Sequence, residues 1–118
     1  MISCCRKATR TAMLFNLTEM TGSELAQQVM QRYQTTDVAQ LAQQAGVVVR
    51  YERWHPITLG EYHPKTRTIC INLNAPGAQA RILAHELGHF FIHEAGLVLS
   101  RRDEEAMADA FAETLLNA

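Results

Sequence analysis

The pentapeptide His85-Glu86-Leu87-Gly88-His89 combines residue types that can bind a metal ion and move a proton. On a helix, residues four apart lie on nearly the same side, about 6 Å apart along the axis, so both imidazoles can point at one ion. The carboxylate of Glu86 then lies beside that ion without coordinating it. Two neutral imidazoles suit Zn²⁺, and a neighbouring carboxylate can take a proton from a water molecule. The pattern therefore predicts a zinc site that hydrolyses peptide bonds.

The residues around this motif favour a helix that is amphipathic or fully buried, because apolar side chains recur through the segment. They are Ile82, Leu83, Leu87, Phe90 and Phe91. A single buried histidine is usually a hydrogen-bonded core residue, and a metal-free domain with core histidines is one alternative. Two histidines four residues apart, with a glutamate between them, are harder to satisfy without a metal.

A catalytic zinc needs a third protein ligand, and the last helix of the chain offers carboxylates for it. Glu105 shares a helical face with small and apolar residues, where a carboxylate is costly to bury unless a cation compensates it. Glu104 lies close to that face and is the alternative ligand. Asp109 is one turn after Glu105 and can accept the outer N–H of a ligating histidine. The competing interpretation is that these acids are solvated charges near a helix start.

His93 continues the spacing of four residues that relates His85 to His89. Three histidines at this spacing climb about 12 Å along a helix, which is too far for one ion to bond the outer pair. We interpret His93 as a residue at the helix end that packs near the site.

The composition indicates one soluble domain. The chain has 118 residues, a net charge of −1 and no basic block, so direct binding to nucleic acid is not expected. The three cysteines, Cys4, Cys5 and Cys70, form no C-x-x-C motif and indicate a reducing compartment. No stretch is long enough for a signal peptide or a membrane span. We expect a cytoplasmic protein, with a flexible tail over residues 1–20 and a single domain over 21–118.

Periodicity and turn signals predict an α+β fold: a small, mainly antiparallel three-stranded sheet packed with the motif helix and flanking helices. Helices are expected at 24–33, 38–45, 78–94 and from about 101 to 116, and strands at 47–52, 58–63 and 68–73. The first two helices suggest a helix-turn-helix DNA reader. The second of them, however, has no Arg or Lys to grip phosphates.

Two segments resemble the ImmA/IrrE group of metallopeptidases. They are His85-Glu-Leu-Gly-His89 with its continuation Phe90-Phe-Ile-His93, and Glu105-x-x-Ala108-Asp109-x-Phe111-Ala112. The order of elements upstream is also similar, and the resemblance spans nearly all of residues 23–118.

The resemblance implies a minimal thermolysin-like, glutamate-liganded zincin. It implies His85, His89 and Glu105 as ligands of one zinc ion and Glu86 as the general base. It also implies a protein substrate such as a helix-turn-helix repressor or an antitoxin. Mn²⁺ and Fe²⁺ are alternative metals, since two histidines and a glutamate accept several ions.

The residues leave two functional alternatives open, which concern cleavage itself and the donor to the oxyanion. The chain could be a metal-binding module that contacts a regulatory partner without cleaving it, in which case Glu86 has no catalytic use. If it is a peptidase, the donor to the tetrahedral oxyanion could be Tyr51, His55, Tyr62 or His63. An exposed edge of the sheet could bind the substrate as an added strand.

Overall fold

The computed structural model describes residues 20–55 and 58–118, which form four α-helices and a three-stranded sheet. The elements in chain order are α1 (Gly22–Tyr33), α2 (Val38–Gln44), β1 (Val48–Glu52), β2 (Gly60–His63), β3 (Thr68–Asn72), α3 (Gln79–Glu94) and α4 (Arg101–Leu116). This confirms the α+β class, and the predicted bounds hold to within two residues. The predicted tail over 1–20 lies outside the described residues except for Met20, which packs against the core.

Side chains that bond to the backbone set where the helices begin. The Thr21 hydroxyl accepts from the Glu24 N–H at 3.1 Å, and the Thr21 N–H donates to the Glu24 carboxylate at 3.0 Å, which is a capping box. Asp37 caps α2, and Ser100 caps α4 by accepting from the Asp103 N–H at 3.1 Å. The Ser100 cap therefore fixes the point at which the acidic first turns of α4 begin.

The sheet differs in one pairing from the antiparallel arrangement expected of consecutive strands. The strand order is β1-β3-β2, with β2 antiparallel to β3 but β1 parallel to β3. A 3₁₀ turn, Pro64–Thr66, joins β2 and β3 as neighbours. β3 lies at the centre of the sheet, and its Ile69 and Ile71 are fully buried. The more polar strands β1 and β2 lie at the two edges. The predicted three-stranded sheet is thus confirmed, with one antiparallel and one parallel pair of strands.

The buried side chain of Asn72 holds the connection between β1 and β2. Its carboxamide oxygen accepts from the Trp54 N–H at 3.2 Å and the Asn74 N–H at 2.9 Å. Its amide nitrogen donates to the carbonyls of His55 and Thr58 at 2.9 and 2.8 Å. All four bonding positions of the carboxamide are thus used. This places the chain where it enters β2, the strand that borders the site.

Helix α3 is the central element of the domain, because the sheet packs on one side of it and α1 and α4 pack on others. Its Leu87, Phe90 and Phe91 are buried, and the Phe91 ring contacts Phe111 of α4 with centroids 5.8 Å apart. Burial of apolar side chains of this size contributes about 1.5–3 kcal/mol each. Among the residues described, none of the helices is both long and apolar enough to span a lipid bilayer.

Candidate metal centre

The motif histidines and the acidic residues of α4 face each other because α3 and α4 cross closely at Gly88 and Ala108. A Cβ atom on Gly88 would lie 3.0 Å from the Ala108 Cα and 3.2 Å from its Cβ. Glycine in a helix interior costs about 1 kcal/mol relative to alanine, so close packing is the reason for it here. Ala108 lies between Glu105 and Asp109, so the contact brings the acidic turn of α4 against the histidines.

The inner nitrogens of both histidines converge on the Glu105 carboxylate. The Nε2 atom of His85 is 3.2 Å from Glu105 Oε1, and the Nε2 atom of His89 is 2.9 Å from Glu105 Oε2. The two Nε2 atoms are themselves 3.2 Å apart. His85, His89 and Glu105 therefore form a compact triangle of possible ligand atoms. The structure brings together the three residues that were predicted from sequence as ligands.

Two further carboxylates orient the histidines from outside this triangle. Asp109 Oδ1 is 2.8 Å from His85 Nδ1, and Glu104 Oε2 is 2.6 Å from His89 Nδ1. Burial opposes ionisation of Glu104, but hydrogen bonds from His89 and His93 outweigh it, so its pKa is lowered. An ionised carboxylate accepts, so each Nδ1 carries a proton and donates it. Asp109 thus makes the expected contact with the outer nitrogen of a motif histidine, and Glu104 contacts the outer rather than the inner nitrogen of His89.

This donor set fits a cation. With the protons on the outer nitrogens, the inner Nε2 atoms are lone-pair acceptors that face the oxygens of Glu105. Acceptors separated by 2.9–3.2 Å repel each other unless protons or a cation lie between them. Ligand atoms of a tetrahedral zinc, at roughly 2.0–2.1 Å from the ion, are about 3.3 Å apart. The residues present therefore match a zinc ion in both chemistry and spacing.

Glu86 lies beside this triangle in a buried position, only 8% exposed. Burial raises the pKa of its carboxyl group from 4.5 to about 7; the charge of His85 opposes the rise, and those of Glu105 and Glu61 add to it. Gly60 of β2 makes this packing possible, because a Cβ atom there would lie 2.9 Å from Ile82 and 3.3 Å from the Glu86 Cγ. A carboxylate that titrates near neutral pH is suited to accept and return a proton.

The raised pKa gives a prediction about folding stability. Below pH 4.5 Glu86 is protonated in both folded and unfolded chains, whereas above pH 7 the folded chain must bury its charge. Glu86→Gln removes that charge, so in the metal-free protein it is expected to raise the free energy of unfolding by about 2–3 kcal/mol at pH 8 and by little at pH 4. Urea denaturation in the presence of a chelator measures both values. An equal gain at the two pH values would contradict the burial penalty.

An open cleft of about 1010 Å³ between β2, α3 and the start of α4 is lined by Glu86 and the candidate ligands His85, His89 and Glu105. Tyr62 and His63, two of the expected oxyanion donors, line it. The other two, Tyr51 and His55, do not border it. His93 also lines the cleft, with its Nε2 atom 3.1 Å from Glu104 Oε2, in agreement with the expectation that it packs near the site.

Three features of the site were not foreseen from sequence. They are the contact of Glu104 with the outer nitrogen of His89, the approach of Gly60 to Glu86, and the presence of Arg81 and Arg101 in the cleft. The contact of Glu104 with His89 could have been predicted from sequence, because two antiparallel helices pair their residues in opposite order. If Asp109 contacts His85, then the turn at 104–105 must contact His89.

Comparison with known families decides which class of protein this site belongs to. The Peptidase_M78 model, described as the IrrE N-terminal-like domain, matches residues 42–116. The chain belongs to this family. The match covers more than half of the chain and includes β1–β3, the motif helix and Glu105, which confirms the ImmA/IrrE resemblance. Membership in Peptidase_M78 supports a zinc-dependent metallopeptidase. No curated protein sequence matches the chain at a significant level.

Proposed function

We propose that this Peptidase_M78 chain is a zinc endopeptidase that cleaves a regulatory protein, such as a helix-turn-helix repressor or an antitoxin. The observation that carries the proposal is the convergence of three acceptor atoms from His85, His89 and Glu105 beside a buried Glu86. A metal site that serves folding alone has no use for a buried carboxylate next to it, since burying that charge costs stability. This favours a peptidase over a non-cleaving metal module.

The three residues of the triangle would hold the metal ion, and the chain supplies the rest of the chemistry. When bound, zinc supplies a Lewis acid that makes a water molecule more acidic and polarises the scissile carbonyl. Glu86 takes the proton of the attacking water and returns it to the leaving amine, for which a pKa near neutrality is appropriate. Asp109 and Glu104 keep the proton of each histidine on its outer nitrogen, so that the inner nitrogen stays free.

The substrate is proposed to bind as an extended strand along the outer edge of β2. The Asn72 N–H donates to the Leu59 carbonyl at 3.0 Å, so residues 59 and 72 form a hydrogen-bonded pair. Hydrogen-bonded and non-hydrogen-bonded pairs alternate along an antiparallel ladder. The backbone N–H and C=O groups of Gly60 and Tyr62 therefore point away from β3, toward the outer edge of the sheet. No described strand pairs with that side of β2. An added peptide strand would satisfy these groups and lie over the metal residues.

Tyr62 or His63 is the proposed donor to the oxyanion of the tetrahedral intermediate, since both line the cleft. Burial raises the pKa of Tyr62, so its hydroxyl keeps the proton that such a donor needs. A regulatory protein as substrate is supported by the family resemblance, and an open cleft can admit a flexible segment of such a protein.

The test is cleavage of a protein substrate captured by an inactive variant. Immobilised Glu86→Gln protein, loaded with zinc, is used to retain partners from its host lysate, and each partner is then incubated with wild-type protein. Mass spectrometry should find a single internal cut that requires zinc and is absent with Glu86→Gln. A partner that is retained but never cut by the zinc-loaded wild type would favour the non-cleaving module.

A further inference from the structure

His93 makes a defined contact that the proposed chemistry does not use. Its Nε2 atom lies 3.1 Å from Glu104 Oε2, the same oxygen that lies 2.6 Å from His89 Nδ1. One carboxylate oxygen therefore bonds to two imidazoles, one of which belongs to the metal triangle. His93 itself is not part of that triangle.

The ring of His93 is held in place even though almost half of its side chain is exposed. It packs edge-on against Tyr62 of β2, with centroids 5.7 Å apart and an interplanar angle of 74°. Tyr62 in turn packs edge-on against the buried ring of Phe90, with centroids 5.9 Å apart. Aromatic pairs of this geometry stabilise each other by about 0.5–1.5 kcal/mol. The orientation of His93 is thus tied to the core and to the cleft edge of the sheet.

We propose that His93 is a positioning residue for the metal centre, acting through Glu104 on His89. The proposal rests on the metal site proposed above. A glutamate has three flexible torsions, and a single hydrogen bond to His89 leaves its carboxylate free to turn away. The second bond, from the His93 N–H, restricts it to the position in which it accepts the outer proton of His89.

His85 and His89 differ in how much their orienting carboxylates need to be restrained. Asp109, which bonds to His85, has a shorter side chain with fewer torsions than Glu104, so it needs less restraint to keep its position. No contact between Asp109 and a second imidazole is seen among residues 20–55 and 58–118. His93 therefore compensates for the longer and more flexible of the two orienting carboxylates. It also links the position of β2, through Tyr62, to that of a metal ligand.

The experiment is a double-mutant cycle on zinc affinity, measured by competition with a chromophoric chelator. Glu104→Gln should weaken binding about 10–100-fold, and His93→Ala about three- to tenfold. Because His93 acts through Glu104, the double variant should bind zinc no more weakly than Glu104→Gln alone, within about twofold. His93→Gln keeps an N–H donor near the Nε2 position and should restore most of the affinity lost in His93→Ala.

Glu94→Gln is the control, since Glu94 neighbours His93 in sequence but pairs with Arg32. It should leave the affinity for zinc unchanged. Thermal unfolding of each metal-free variant separates a loss of fold from a loss of metal. Wild-type affinity in His93→Ala, or a double variant in which the two losses multiply, would overturn the positioning role. If the wild type itself binds no zinc, the proposed function fails, which is a separate and distinguishable result.

Discussion

Glu86→Gln is expected to lower kcat/KM for peptide hydrolysis by about 10²–10⁴-fold while the protein still binds one zinc ion per chain. The glutamine keeps nearly the size of the buried side chain but cannot accept the proton of the attacking water. Zinc stays bound because Glu86 lies outside the triangle of His85, His89 and Glu105. Hydrolysis is measured on the captured substrate or on a peptide that spans its cleavage site, with zinc content determined on the same sample.

Glu94→Gln provides the matched control for this loss, because it makes the same substitution on the same helix at an exposed site. It should retain wild-type hydrolysis. A Glu86→Gln protein with more than a tenth of wild-type activity would contradict the general-base role. Loss of zinc from Glu86→Gln would instead show that this carboxylate coordinates the metal.

Gly88→Val is expected to have the second large effect, on both stability and metal binding. The first added atom would already lie 3.0 Å from the Ala108 Cα and 3.2 Å from its carbonyl oxygen, and valine adds two more methyl groups. Backbone atoms cannot turn aside, so α3 and α4 must separate at the turn that carries Glu105. Overpacking of this kind costs about 1–3 kcal/mol, and metal sites tolerate displacements of only about 0.5 Å. Zinc affinity should fall by at least about tenfold.

Denaturant unfolding and chelator competition on Gly88→Val measure the two effects. Ala106→Val is the control, because Ala106 is exposed on α4, so valine there adds the same side chain to a helix without the clash and costs at most about 0.7 kcal/mol of helix propensity. Gly88→Ala should fall between the two, since a shift of a few tenths of an ångström is offset by the better helix propensity of alanine. Unchanged zinc affinity in Gly88→Val would show that the helix crossing does not position Glu105.

The parts of this protein that could be predicted from sequence are those set by local pattern. The spacing of the motif placed His85 and His89 on one side of a helix, and capping residues such as Thr21 and Ser100 marked helix starts. Glu105 could be selected as the candidate ligand because its helical face is otherwise small and apolar, although its side chain is half exposed at the cleft. Each of these inferences needs only the geometry of a single element.

The parts that sequence did not predict depend on how elements meet. The residues of β1 do not by themselves indicate that the chain crosses over after this strand, which leaves the central position of the sheet to β3. Sequence left Glu104 as an alternative metal ligand, whereas in the structure it contacts the outer nitrogen of His89. That contact depends on the offset between α3 and α4, which the close packing of Gly88 on Ala108 sets. The contact of His93 with Tyr62 likewise joins residues from a helix and a strand.

The most direct measurement is the zinc content of protein purified without chelators, with wild type compared to His89→Ala, Glu105→Ala and Glu104→Gln. If His85, His89 and Glu105 hold the metal, the wild type should contain about one zinc per chain, and His89→Ala and Glu105→Ala almost none. Glu104→Gln should still fill at saturating zinc, because it removes an orienting contact and not a ligand. A wild-type protein that takes up no zinc even when the ion is added, or a Glu105→Ala protein that binds it as tightly as wild type, would contradict this metal centre.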